Sequence, residues 1–206
     1  RIYKLHKNAY HLGESHCLSY AHHSIKIDGL RYKIIPMIAF GAKAFHFSQV
    51  GENSFKQITK ANFASIAQSS NVFISFGEID CRPNEGFISA AKKLNKPLED
   101  LISDTVIGYL KWFSEQNKWY DHELFFFNIP APFYDTEHSP ELNSEVLNIV
   151  LLFNAAIKKY VPVHGFKLVD VCQFTTGCDG FSNGLFHVDN RHLGAKAISE
   201  IEQQLN

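Results

Sequence analysis

The sequence predicts an α/β protein with a flavodoxin-like, three-layer sandwich around a five-stranded, parallel, doubly wound sheet. Three observations predict it. Short apolar runs alternate with longer helical patterns over all 206 residues. The runs are continuous rather than alternating, the mark of strands buried on both faces by helices. Nearly all are followed at once by glycine, proline or polar residues, as expected of strands whose carboxyl ends open into loops.

Taken in order, the first run covers residues 9–12 and stops at Gly13. The second, 33–40, stops at Gly41, and a helical pattern follows over 55–68. The third run, 71–76, stops at Gly77, after which Pro83-Asn84-Glu85-Gly86 marks a turn and loop. Residues 99–117 predict a helix, because Leu101, Ile102, Thr105, Val106, Tyr109, Leu110 and Phe113 recur at spacings of three and four. The aromatic residues around its end, Trp112, Trp119 and Tyr120, are expected to pack the edge of the core. The fourth run, 123–129, stops at Pro130. The next helix, 140–160, carries Leu142, Val146, Ile149, Val150, Phe153 and Ile157 on one face. Pro140 falls in its first turn, where a missing N–H costs little. A fifth strand at 166–171 and a closing helix at 194–205 complete the alternation. With no repeat, low-complexity tract or linker, residues 1–206 are expected to form a single domain. The chain opens on Arg1-Ile2-Tyr3-Lys4, neither an initiator Met nor a signal peptide, the pattern of a domain cut from a longer chain.

Composition excludes several classes of function. Apolar residues at 45% and charged residues at 20% are globular values and argue against disorder. Twenty Lys and Arg against 21 Asp and Glu leave a net charge of −1, so there is no electrostatic case for nucleic acid or an anionic membrane. No uninterrupted apolar run reaches the roughly 20 residues that span a bilayer. Cys17, Cys81, Cys172 and Cys178 do not form CxxC knuckles, which argues against zinc and for free thiols in a reducing, cytoplasmic setting. The adjacent pair His22-His23 is poor ligand geometry, so no metal is expected.

In an open parallel sheet ligands bind at the carboxyl ends of the strands, and polar residues collect there. Gly13-Glu14-Ser15-His16 follows the first strand, Gly41-Ala42-Lys43 the second, and Gly77-Glu78-Ile79-Asp80-Cys81-Arg82 the third. A serine at a strand-to-helix turn can expose its hydroxyl beside backbone N–H groups that stabilise an oxyanion. It still needs a base. Asp189 and His192, three apart, supply one: the acid fixes the ring's tautomer and leaves the other nitrogen free. Arg82, Asp80, Glu78, Lys43 and His16 are the polar residues placed to bind substrate. Arg82 has two readings: an ion pair with Asp80 or Glu78, or a clamp for a carboxylate, a phosphate or the pyrophosphate of a coenzyme A thioester. The loop 174–186, with Gly177, Gly180 and Gly184, is placed to shape the mouth of the site.

The order Gly13-Glu14-Ser15, Gly41, Gly77-x-x-Asp80 and Asp189-x-x-His192, with Asn154 in the penultimate helix, resembles the SGNH, or GDSL-type, hydrolase family over nearly the whole chain. The resemblance implies Ser15 as nucleophile, His192 as general base and then acid, and Asp189 as its orienter. It implies an oxyanion hole from the Ser15 and Gly41 amides, and no cofactor. The activity implied is that of a serine esterase or an O-acyltransferase, acting on a small-molecule or glycan ester, with acyl-CoA as a conceivable donor. Two positions depart from the family: Glu14 stands for the usual Asp, and Ile79 for the Asn whose side chain is an oxyanion donor. The loss at Ile79 keeps a second expectation open, a non-catalytic ligand-binding domain on the same fold. A flavin or nucleotide module of flavodoxin type is disfavoured, because no glycine-rich phosphate loop follows the first strand.

Overall fold

The computed structural model describes residues 7–206; Arg1–Lys4, on which the expectation of a longer parent chain rests, lie outside them. Among the described residues, six strands form one sheet: β1 (Lys7–Gly13), β2 (Ser24–Ile27), β3 (Leu30–Ile38), β4 (Asn71–Ser75), β5 (Glu123–Phe127) and β6 (Lys167–Val169). Their spatial order is β2-β3-β1-β4-β5-β6, all parallel except β2, which runs antiparallel to β3. The five parallel strands match those predicted, in the doubly wound order of a flavodoxin-like sandwich.

The sixth strand corrects the predicted count. β2 is a four-residue edge strand, Ser24-Ile25-Lys26-Ile27, buried only at its two isoleucines. A run this short carries little periodicity. The signal that marks it is the turn: Asp28 and Gly29 both have positive φ, 46° and 76°, as a two-residue hairpin turn requires.

Among the described residues there are seven α-helices: α1 (Ala44–Ser48), α2 (Ser54–Ser65), α3 (Phe87–Leu94), α4 (Leu98–Asn117), α5 (Pro140–Tyr160), α6 (Val171–Thr175) and α7 (Ile198–Gln204). α4 and α5 match their predicted spans closely. α5 starts where Ser139 accepts from the Leu142 N–H and Pro140 occupies the first turn. α2 is shorter than predicted, and α1, α3 and α6 are additional. α1 and α6 have five residues each, too few for periodicity to register. No α-helix follows β1. Ser15–Leu18 makes one 3-10 turn, and the chain reaches β3 through the β2 hairpin.

The continuous apolar runs are buried on both faces. On β4, Phe73 joins Ile25, Phe125, Val169 and Ile201 on one side. Val72 and Ile74 join Phe47, Tyr109, Phe113 and Phe126 on the other. Trp112 belongs to this second core, but Trp119 does not: it is 78% exposed, beyond the end of α4, and Tyr120 is half-buried.

Residues 140–164 form the one stretch among those described that is long and apolar enough, by composition, to cross a membrane. Here Ile149, Val150, Phe153 and Ile157 of α5 pack into the core instead. Asn154 of the same helix brackets the end of β5: its Oδ1 accepts from the Ile129 N–H and its Nδ2 donates to the Ile129 carbonyl, both at 2.8 Å. Asn154→Leu leaves both buried backbone groups unpaired. The expected loss is about 2–6 kcal/mol at roughly 1–3 kcal/mol per orphaned group, read by urea denaturation. A midpoint unchanged from wild type would show that Asn154 is not what holds this strand end.

Candidate active site

The site begins where β1 ends. Gly13 pairs with Ile38 of β3 on one side and with Ser75 of β4 on the other. A Cβ on Gly13 would lie 2.5 Å from Ser75 Oγ and 2.8 Å from its carbonyl, so only glycine lets the strands meet here. The chain then turns at Glu14, and Ser15 starts the 3-10 turn with its side chain half-buried.

The structure brings Ser15, His192 and Asp189 together. Ser15 Oγ is 2.9 Å from His192 Nε2, and His192 Nδ1 is 2.8 Å from Asp189 Oδ2. Asp189 does two jobs. Its Oδ1 accepts from the Arg191 and His192 amides at 2.7 and 2.6 Å, which folds the turn, while Oδ2 holds the ring. Burial alone would raise the Asp189 carboxyl; the His192 amide and ring and the Arg191 amide outweigh it and hold it at about 2. The carboxylate therefore stays ionised, and Nδ1 must carry the proton between them. The turn is anchored by the Val188 N–H donating to the His192 carbonyl and by pairing of His187 with Leu193.

Glu14 is closer to the serine than the sequence indicated. Buried to 1% exposure, it accepts the Ser15 hydroxyl at Oε2, 2.7 Å away, and the His16 N–H at 3.3 Å. The single Ser15 proton thus has two acceptors within reach, Glu14 and His192. Of the two, only His192 is held from behind by Asp189.

Gly41 lies three residues past β3, with φ of 75°, a left-handed conformation that glycine adopts freely. Neither its N–H nor that of Ser15 donates to another group among the described residues. The short 3-10 turn in place of a helix means that any oxyanion stabilisation at Ser15 comes from individual N–H groups, not from a helix macrodipole. Ile79 is buried within the 3-10 turn Ile79–Cys81 and brings no polar atom. Asn128, a carboxamide close by, is committed: its Nδ2 donates to Asp170 and its Oδ1 accepts from the Cys172 N–H.

The other candidate residues have specific partners. Arg82 is not a free clamp: its Nε and Nη2 bond Glu78, with Nη2 to Oε2 at 2.6 Å, and Nη1 bonds Glu85. Burial pushes the Glu78 carboxyl up, but His16 and Arg82 outweigh it and hold it at about 2. Lys43 Nζ donates to the Glu85 carbonyl. Asp80 does not reach Ser15. Its two oxygens accept from the Ala44 and Phe45 amides at 2.8 and 3.0 Å, so it caps α1 and fixes the exit of the Gly41 loop. His16 is buried against Glu14 and Glu78, its ring centroid 4.7 Å from that of His192. Burial lowers His16, yet the neighbouring Glu78 and Glu14 carboxylates raise it overall.

Two cavities border the pair. One lies behind it, walled by His11, Glu14, His16, Ser19, Glu78 and Leu193. The other is a larger cleft with about 250 Å³ open to the centres of water-sized molecules. Ile129, Pro130, Pro132 and Val150 give it an apolar wall, and His187 and Arg191 stand on the His192 side. Neither wall includes Ser15 itself: its chain neighbours Glu14 and His16 line the first, with Leu193, and Arg191, next to His192, lines the second. Of the loop 174–186, Phe181, Asn183 and Ser182 are tied to Gly177, Thr175 and Pro132 backbone groups rather than lining the cleft.

No family model and no curated protein matches this chain. Solved structures do. An extracellular lipase from Streptomyces rimosus is 14% identical with a TM-score of 0.60, over 97% of this chain and 100% of that one. A GDSL-like lipase from Bacteroides thetaiotaomicron is 16% identical with a TM-score of 0.59, over 97% and 85%. A phospholipase A1 from Streptomyces albidoflavus is 12% identical with a TM-score of 0.54, over 98% and 100%. The chain has the SGNH-type hydrolase fold.

Asp80 carries a pH signature. Burial holds its carboxyl at about 7, against an ordinary 3.8, even though the Phe45 and Ala44 amides pull it down. The folded state therefore binds a proton that the unfolded chain has released, and stability falls as pH rises from about 4 to about 7. Asp80→Asn removes that component. Denaturation at about pH 5 and about pH 8 is expected to show wild type losing more stability across the interval than the variant. Equal losses would overturn the assignment.

Proposed function

We propose that this chain is a serine ester hydrolase of SGNH type that works through an acyl-Ser15 intermediate. The observation that carries the proposal is the hydrogen-bonded relay Ser15–His192–Asp189, closed between residues 177 positions apart. A serine, a base and an orienting acid in this order of contacts are the parts that nucleophilic acyl transfer needs.

In the proposed mechanism Ser15 Oγ attacks the acyl carbon as its proton passes to His192 Nε2. Asp189 holds the ring through Nδ1–H and stabilises the imidazolium. The Ser15 and Gly41 amides face the developing oxyanion. His192 then returns the proton to the departing alcohol, and water, activated by the same nitrogen, releases the acid. The apolar wall of the cleft beside the relay, Ile129, Pro130, Pro132 and Val150, suits the acyl chain. With Arg82 already paired, Arg191, which makes no ion pair among the described residues, is the available cation on the rim. Transfer of the acyl group to a sugar hydroxyl rather than water uses the same steps and is the finer form of the proposal, with an acyl-CoA thioester as one donor to test. Ile79 favours a second reading, a binding domain without turnover, because one preorganised donor is worth roughly 10²–10³ in rate.

Fluorophosphonate labelling decides between them. Wild type is expected to label, and Ser15→Ala and His192→Ala are not. On a short-chain ester, Ser15→Ala should lower kcat by about 10³ or more and Asp189→Asn by about 10²–10⁴. Turnover retained in Ser15→Ala would remove Ser15 as nucleophile, and a folded wild type that fails to label would favour the binding domain.

A further inference from the structure

We propose that the gap behind the nucleophile is a binding site for a single first-row divalent cation, held by Glu14, His16 and Glu78. This goes beyond the ester chemistry and does not depend on it. His16 Nε2 lies 3.7 Å from Glu14 Oε1 and 3.8 Å from Glu78 Oε2, and ligand atoms of all three residues lie within 4.8 Å of one another. These separations are too long for hydrogen bonds, and His16 Nε2, in a side chain more than nine-tenths buried, has no hydrogen-bond partner. In the plane of three atoms so spaced, the point equidistant from them lies about 2.4 Å or less from each, a few tenths of an ångström outside zinc–nitrogen and zinc–oxygen distances.

A second, separate observation points into the same space. His11, 1% exposed and outside that triangle, lines the cavity with its Nδ1 also unpartnered, while its Nε2 bonds Ser75 Oγ at 2.9 Å. About 30 Å³ is open to water centres there, and one water needs roughly 10–15 Å³. The space therefore takes an ion's remaining water ligands.

The donor set selects the ion. One imidazole and two carboxylates suit zinc or manganese better than calcium, which takes oxygen ligands in larger number. Two carboxylates against one guanidinium attract a cation to the gap, and its binding displaces the proton that they favour on His16. Arg82 already bonds Glu78 through Nε and Nη2, but a carboxylate has about four lone-pair sites. Glu14 accepts Ser15 at Oε2 and turns Oε1 to the gap, so one carboxylate joins the cation to the nucleophile.

Titration calorimetry of the whole chain with zinc and with manganese tests the site without reference to activity. The expected result is one saturable equivalent for at least one of the two ions. His16→Ala and Glu78→Gln, shown folded by their melting curves, should each weaken binding by at least about tenfold, since loss even of an outer-shell partner costs about 10–100-fold. A cobalt titration of wild type adds a readout that needs no variant, a d–d absorption band that saturates at one equivalent. No saturable binding by folded wild type, or binding undiminished in folded His16→Ala and Glu78→Gln, would overturn the proposal.

Discussion

The whole arrangement depends on how closely β1 approaches its two neighbours at its carboxyl end. β1 is the strand from which the chain departs first to one side, to β3, and later to the other, to β4. Loops leaving it and its neighbours diverge, and a crevice opens at that point. Gly13 sits at the apex, paired on both sides, with Ser75 where its Cβ would be. That contact sets where Glu14 and Ser15 emerge. The β3 pairing in turn sets Gly41, because the Ala39 N–H donates to the Gly13 carbonyl at 2.8 Å. Two segments of the site are therefore indexed to one residue.

The His192 side is built by local chemistry rather than by the sheet. The Asp189 carboxylate folds its own turn with one oxygen and aims the imidazole with the other. This explains the spacing of three: a residue two or three beyond an aspartate is the one its side chain can reach by an Asx turn. The same acid is half-exposed, so its charge is retained at little desolvation cost. Glu14 and Glu78 are the opposite case. They are more deeply buried beside the serine, and hydrogen bonds from Ser15, the His16 amide and Arg82 offset their desolvation. Stability is given up here for a polar environment around one hydroxyl.

Much of this was legible in the sequence, and the limits have physical causes. The five parallel strands were visible because residues such as Phe73 and Ile74 are buried on opposite faces, which writes a continuous apolar run. α4 and α5 were visible because they are long enough for periodicity to repeat. Ser15, Asp189 and His192 stood out by position at strand ends. β2 was missed because an edge strand of four residues hides in noise, although Asp28-Gly29 marked its turn. The Arg82 pairing was legible as one of two alternatives, an ion pair with Asp80 or Glu78; which carboxylate takes the guanidinium depends on backbone bends such as the 3-10 turn Ile79–Cys81. Nor was the placement of Glu14: the sequence shows that a carboxyl precedes the serine, not that it folds back onto its hydroxyl.

Ile79 then acquires a structural meaning. In an oxyanion hole with a carboxamide, the third strand's loop must present that side chain to the substrate. Here the same loop buries Ile79 and spends its polar residues elsewhere: Asp80 on the amides that begin α1, Glu78 on His16 and Arg82. The loop organises its own surroundings. On the proposed mechanism two amides, those of Ser15 and Gly41, meet the oxyanion, and the second depends on the loop that Asp80 clamps at its far end. Rigidity in that clamp matters more when fewer donors share the charge, because the preorganisation of each remaining N–H carries a larger part of the stabilisation. Asp80 is thus best understood as support for Gly41, kept buried at the expense of its own ionisation.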